Sequence, residues 1–284
     1  MPPIIQALSD IAPGYDALFC DLWGCVHNGQ RAYPAALAAL RQFRAGGGHV
    51  VLMTNAPRPS PAVIPGFDRI GITPDTYDIL VSSGDAALAG LQAGLVGQRI
   101  YHIGPEKDDS LFDAAPTISR VPLAEAEGIV CTGPFDEDTE TPEDYRGTLL
   151  AAKARGLKLL CTNPDLVVDM GDKRIYCAGA LAELYDQMGG ESLYFGKPHP
   201  PIYDLARNRL AALGISDDRI LCVGDGIFTD IRGGVAEGLD TLFITGGLAA
   251  DQFGPDVENP DPARLSAWLL AQGLSPTSAI GRLR

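Results

Sequence analysis

The chain has 284 residues, is 46% hydrophobic and carries a formal net charge of -14, so it can bury a full core as one large domain or two moderate ones, while its acidic balance disfavours nucleic acid and anionic membrane surfaces as partners. No apolar run approaches the roughly 18 residues of a membrane span, and the stretch Met1-Pro2-Pro3-Ile4 lacks a basic segment leading into an apolar signal core; a cytoplasmic location is the expectation. The six cysteines contain no Cys-x-x-Cys pair and four close apolar strand-like runs, which predicts reduced core thiols rather than a zinc site or a disulfide frame.

The first element is an apolar strand, Ala17 to Cys20, that ends in Asp21 and runs into Leu22-Trp23-Gly24-Cys25-Val26. A carboxylate at the carboxyl end of a buried strand, followed by a Gly turn, occupies the place where open α/β sheets hold their ligands. Pro34 to Ala45 reads as a helix, with Pro in its first turn and three glycines after its end. A second strand, Val50 to Thr54, again closes on a polar residue, and the backbone N-H groups that follow in Asn55-Ala56-Pro57-Arg58 are suited to an anion. Further strands are expected at Ile79 to Ser82, Ile100 to Gly104, Ile129 to Gly133 and Lys158 to Thr162, with a helix at Ala178 to Met188.

Lys197 follows, one of five lysines in the chain, set between Gly196 and Pro198 in YFGKPHPPIY. A helix at Tyr203 to Leu213 leads to a strand ending in Asp225, in ILCVGDGIFTDIRGG, with Asp230 five residues later. Thr241 to Thr245 and Pro262 to Gln272 complete the series as a strand and a helix. This alternation predicts an α/β fold with a doubly wound, Rossmann-like parallel sheet and right-handed crossovers. The candidate chemistry falls into two groups, 17-60 and 193-232. The segment between them is too long for a loop and has strands of its own, so it is expected to be an inserted domain: 1-84 and 187-284 form the core, and 85-186 the insert.

A nucleophile, a hydroxyl donor, a cation and a pair of acids in this order resemble the four motifs of the haloacid dehalogenase (HAD) superfamily. Within it, Ser83-Gly84, Thr162-Asn163-Pro164-Asp165, GKPHPPIYD and GDGIFTD resemble the 4-nitrophenyl phosphatase-like (NagD-like) subfamily IIA, whose α/β cap lies between the second and third motifs. The resemblance implies a phosphatase for a small phosphorylated metabolite, acting through an aspartyl phosphate formed on Asp21. It implies Mg²⁺ as cofactor, held by Asp21, the backbone carbonyl of Trp23 and Asp225, with Asp230 orienting a metal-bound water; capping of the next helix is the competing role for Asp230. Lys197 and Thr54 would hold the phosphoryl oxygens. Asn55 and Ala56 would line the phosphate loop, and Asn163 and Asp165 the substrate side of the cap. A homodimer through the cap is the implied assembly.

One position departs from the pattern. The family's general acid, an Asp two residues after the nucleophile, is replaced by Trp23, whose indole does not titrate usefully. General acid-base help is worth about 10² to 10⁴ in rate, so slow turnover of unactivated esters is expected. His27 can titrate near neutrality but reads more readily as a loop residue; Cys25 has no cationic neighbour in sequence; His199 reads as structural or substrate-facing; and Arg58 could reach substrate but reads more readily as a solvated surface residue. Dehalogenase and phosphonate-hydrolase chemistry fit less well: the first has no need of Asp225, and the second needs a cap lysine that cannot be placed. The rival is a phosphate-ester binding or regulatory protein on an impaired scaffold. Trp23 favours the rival, whereas Asp21, Lys197, Asp225 and Asp230 together favour the enzyme.

Overall fold

In the computed structural model, which describes residues 2-170 and 173-284, the strands in chain order are β1 (Ala17–Asp21), β2 (His49–Thr54), β3 (Ile79–Ser82), β4 (Arg99–Ile103), β5 (Ser119–Arg120), β6 (Gly128–Cys131), β7 (Lys158–Cys161), β8 (Val167–Met170), β9 (Lys173–Tyr176), β10 (Glu191–Tyr194), β11 (Ile220–Gly224), β12 (Asp240–Ile244) and β13 (Ser278–Ile280). They divide between two compact units. The first comprises Met1–Thr54, Pro65–Val81 and Tyr203–Arg284; the second comprises Asn55–Ile64 and Ser82–Ile202.

The first unit holds a six-stranded sheet in the order β13-β12-β11-β1-β2-β3. β1 pairs in parallel with β2 on one side and β11 on the other, and β11, β12 and β13 continue in parallel. Every residue of β1 and of β11 is buried, which explains why these strands read as continuous apolar runs rather than alternating ones. Sequence order runs outward in opposite directions from β1 and β11, so their boundary is the topological switch point, where such sheets open a crevice beyond their carboxyl ends. The helix Pro34–Ala45 begins on Pro at its first turn and passes into Gly46, and it buries Ala36, Leu37, Ala39, Leu40 and Phe43 as one stripe. The helix Pro262–Gln272 starts on Asp261, whose side chain accepts from the N-H groups of Ala263 and Arg264, and stops at Gly273 in a left-handed conformation, φ 67°.

The second unit has its own five-stranded sheet, β10-β7-β6-β4-β5, with parallel pairing throughout. Its core packs Ile103, Ile129, Leu149, Leu159, Leu181 and Tyr185 between that sheet and the helices Arg146–Ala154 and Ala178–Gln187. The hairpin β8-β9 is antiparallel. The expected insert, 85-186, contains β4 to β9; β10 follows it in the chain. The helix Ser83–Gln92 opens with a capping box in which Ser82 Oγ accepts from Asp85 N-H and the Asp85 carboxylate accepts from Ser82 N-H.

The doubly wound parallel core and the additional α/β unit agree with the expectation. All six cysteines are buried and none forms a disulfide. Among the described residues, no helix is long and apolar enough to cross a membrane.

Candidate active site

The carboxyl end of β1 carries Asp21, and the end of β11 leads directly into Asp225. Because the strands are neighbours in parallel register, with Cys20 opposite Val223, both carboxylates come to the switch point. Oxygen atoms of Asp21 and Asp225 and the sulfur of Cys25 all lie within 4.8 Å of one another. Glycines make this approach possible. Gly24 adopts φ 79°, and a Cβ there would meet Asp225 Oδ2 at 1.9 Å. On another side, a Cβ on Gly247 would lie 2.0 Å from the same oxygen, and Leu248 N-H donates to it at 2.8 Å. The Gly246-Gly247 pair after β12 was the available sequence signal for this third wall, and the motif reading did not include it.

Two carboxylates held this close repel unless a cation or a proton lies between them, and an oxygen donor set of this kind suits a hard divalent ion. Cys25 is a poor alternative anion: burial pushes its thiol well above the ordinary range, and the charges of Asp225 and Asp21 push it further in the same direction. Cys25 therefore stays a neutral thiol beside the acids.

Asp230 is buried, and its Oδ2 accepts from the Gly226 N-H at 3.0 Å, within the loop that carries Asp225. A Cβ on Gly224 would meet the Asp230 side chain at 2.1 Å. Asp230 thus braces the turn between Gly224 and the helical segment Ile227–Ile231, to which it belongs. Thr54 closes β2 one residue beyond Met53, the partner of Asp21 across β1 and β2, so it reaches the same edge of this sheet.

Trp23 and His27 form a small aromatic turn after Asp21. Gly24 N-H donates to the His27 carbonyl at 2.8 Å, the two rings meet edge to face with centroids 5.2 Å apart, and a Cβ on Gly29, φ 83°, would strike the indole at 2.5 Å. The indole is packed on the loop that it belongs to. His27 is 7% exposed, and its Nδ1 accepts from Gly29 N-H at 2.8 Å, which leaves the ring proton on Nε2. Burial lowers its pKa to about 4. A ring that is neutral at pH 7 offers no imidazolium to a leaving group.

This depression has a measurable consequence. A histidine near 6.5 when unfolded and near 4 when folded binds fewer protons in the native state, so its contribution is full above pH 6.5 and is lost as pH falls from there toward 4, by up to about 3 kcal/mol. Asp108, raised to about 6 by burial, titrates in the opposite sense, so the comparison must be site-specific. The His27→Gln variant should lose less stability than the parent between pH 7 and pH 5 in urea unfolding; parallel pH profiles would refute the assignment.

In the second unit, Asn55 holds the segment around Lys197 by its backbone. Its Oδ1 accepts from Lys197 N-H at 2.8 Å, and its Nδ2 donates to the Lys197 carbonyl at 3.0 Å and to Asp165 Oδ1 at 2.9 Å. One amide thereby ties together three loops separated by 110 and 142 residues in sequence. Gly196 permits the contact, since a Cβ there would come within 2.5 Å of both Asn55 Oδ1 and Pro164 Cδ. Lys197 is 4% exposed. Ala56 contributes its carbonyl to Gly84 N-H at 3.0 Å, Asn163 accepts from Asp165 N-H at 3.0 Å in a local turn, and His199 stacks on Tyr194 at 4.7 Å. Asp21, Trp23, Thr54, Asp225 and Asp230 thus belong to the first unit, and Asn55, Ala56, Asn163, Asp165 and Lys197 to the second.

Two family models match the chain, one described as haloacid dehalogenase-like hydrolase over residues 18-116 and one described as HAD-hydrolase-like over residues 194-264. A solved hydrolase of the haloacid dehalogenase-like family from Brucella suis 1330 is 39% identical, with a TM-score of 0.87, over 99% of this chain and 100% of that one. Ribonucleotide monophosphatase NagD of Escherichia coli is 26% identical over 82% of this chain and 88% of its own. Dihydroxyacetone phosphatase of Corynebacterium glutamicum is 30% identical over a shorter stretch, 34% of each chain.

Proposed function

Because this chain belongs to the haloacid dehalogenase-like hydrolase family, we propose that it is a phosphoric monoester hydrolase for a small phosphorylated metabolite, working through an aspartyl phosphate on Asp21. The observation that carries this reading is the pair of carboxylates, Asp21 and Asp225, set within 4.8 Å of each other at the switch point of a parallel sheet. The names of the relatives, a ribonucleotide monophosphatase and a dihydroxyacetone phosphatase, point to the same bond.

Asp21 attacks phosphorus in line, the P-O bond to the leaving group breaks, and water then hydrolyses the acyl phosphate to return the carboxylate and release phosphate. Lys197 and Thr54 are assigned to the phosphoryl oxygens, where a positive charge and a hydroxyl donor count most in the transition state. Asn55 fixes the backbone of Lys197, and Asp230 fixes the loop of Asp225. Asp21, Asp225 and the Trp23 carbonyl would hold Mg²⁺, which when bound screens the repulsion between phosphate and carboxylate. Slow turnover of unactivated esters follows from Trp23 and from a His27 that is neutral at pH 7.

A panel of phosphorylated metabolites and 4-nitrophenyl phosphate, assayed with Mg²⁺ and after chelation, tests the reading. Phosphate release from at least one ester is expected, falling to background with EDTA and returning with Mg²⁺. Full activity in a metal-stripped sample would remove Mg²⁺ from the account. Phosphate binding without any turnover would favour the binding-protein alternative, which the packed Trp23 indole supports because it fills the position of the acid.

A further inference from the structure

Cys25 has no part in the proposed phosphoryl chemistry, yet its sulfur sits beside the two acids. Cys25 is 1% exposed, and its Sγ lies within 4.8 Å of a carboxylate oxygen of both Asp21 and Asp225. Three atoms so spaced share a centre within about 2.8 Å of each, so shifts of less than about 1 Å bring them to the roughly 2.0 Å and 2.3 Å of Zn-O and Zn-S bonds. All three residues belong to the first unit.

A buried cysteine is ordinarily a small apolar filler, and two observations set Cys25 apart. Among the described residues, neither a disulfide nor a hydrogen bond occupies its sulfur, whereas the thiol of Cys20 donates to the Asp21 carbonyl at 3.3 Å. The carboxylates that bear on that sulfur, Asp225, Asp21 and Asp230, surround it with negative charge, a setting that favours a cation. The donor set is also held in advance. The backbone closes on Asp225 at Gly24 and Gly247, and Leu248 N-H fixes Asp225 Oδ2.

Mg²⁺ takes oxygen ligands and gains little from sulfur, whereas Zn²⁺ and Co²⁺ accept thiolate together with carboxylate. We propose that Asp21, Cys25 and Asp225 form a mixed oxygen-sulfur site for a thiophilic divalent cation of the Zn²⁺ type, which competes with Mg²⁺ for the same acids. As the cation binds, the Cys25 S-H bond breaks, its proton passes to solvent and a sulfur-metal bond forms. The inference rests on the hydrolase reading only for the place of Mg²⁺; sulfur coordination is measured without any turnover.

Co²⁺ is the probe, because it takes the ligands that Zn²⁺ takes and reports them by absorption. Titrated into the metal-stripped, untagged protein, it should produce an intense near-ultraviolet sulfur-to-cobalt band that saturates at one ion per chain and is displaced by Zn²⁺. Cys25→Ser should abolish the band, raise the Kd for Zn²⁺ at least about tenfold and change that for Mg²⁺ less than about threefold. A band that survives in Cys25→Ser, Co²⁺ bound by the parent without the band, no binding of Co²⁺ at all, or an equal loss of affinity for Zn²⁺ and Mg²⁺ would each overturn the proposal. Should Cys25→Ser fail to fold, Asp225→Asn decides on the same band: its loss supports the site, and a band of parental intensity and affinity places the sulfur elsewhere. In the ester assay, Zn²⁺ should inhibit the parent competitively with Mg²⁺. A protein with the sulfur-to-cobalt band but no turnover of any ester would reject the hydrolase reading and leave this site standing.

Discussion

Replacing Asp21 with Asn is expected to reduce phosphate-ester turnover by at least about 10⁴, to the background of the assay, because the amide keeps the shape of the side chain but has no nucleophilic oxygen charge. The protein should remain folded. Asp21 stands within 4.8 Å of the Asp225 carboxylate, and removing one of two like charges relieves their repulsion in the metal-free protein. Its melting temperature without divalent ions should therefore equal or exceed that of the parent. The increase on adding Mg²⁺ should shrink, because stabilisation by a ligand follows its affinity for the native state and one carboxylate ligand is lost. Release of 4-nitrophenolate and two thermal melts, with and without Mg²⁺, measure all three effects. Undiminished turnover would exclude Asp21 as nucleophile, and an unchanged Mg²⁺ shift would place the ion elsewhere.

The strand-end acids could be read from sequence because fully buried parallel strands are short apolar runs, and four motifs in order single out carboxylates that one at a time would read as cap or turn residues. β1 and β3 begin and end where the pattern places them, as do the helices Pro34–Ala45 and Pro262–Gln272, since Pro, Gly and capping side chains set those limits locally. Other elements carried no such signal. β10, Glu191–Tyr194, is a half-exposed edge strand with mixed polarity, and the helix Ser83–Gln92 contains two glycines that weaken its helical pattern. The contacts that shape the candidate site are longer in range still. The bonds of Asn55 to Asp165 and Lys197, the burial that neutralises His27, and the meeting of Arg58 with Asp108 depend on tertiary packing that no local spacing encodes. Arg58 is the clearest example: an Arg in a loop reads as solvated until the buried carboxylate beside it is known.

The missing acid should be visible in how rate depends on the leaving group. Trp23 stands where the family resemblance implies an Asp, its indole packs against Gly29 and His27, and His27 is neutral at pH 7; neither side chain can protonate a departing alkoxide. Esters that depart without a proton, 4-nitrophenyl phosphate and acyl phosphates, should therefore react far faster than alkyl phosphates. Attack of water on the aspartyl phosphate also lacks its base, so the intermediate should accumulate and give a burst of 4-nitrophenolate before a slow steady state. Trp23→Asp restores a carboxyl group at that position and is expected to raise kcat/KM for an alkyl ester by up to about 10², while flattening the dependence on leaving-group acidity. The gain is reduced by whatever the loop loses in packing, because the indole that covers Gly29 is removed. Melting temperature reports that loss separately from rate. A folded Trp23→Asp protein with no gain, together with a flat leaving-group dependence in the parent, would show that proton transfer does not limit this enzyme and that the leaving group obtains its proton from the substrate or from water.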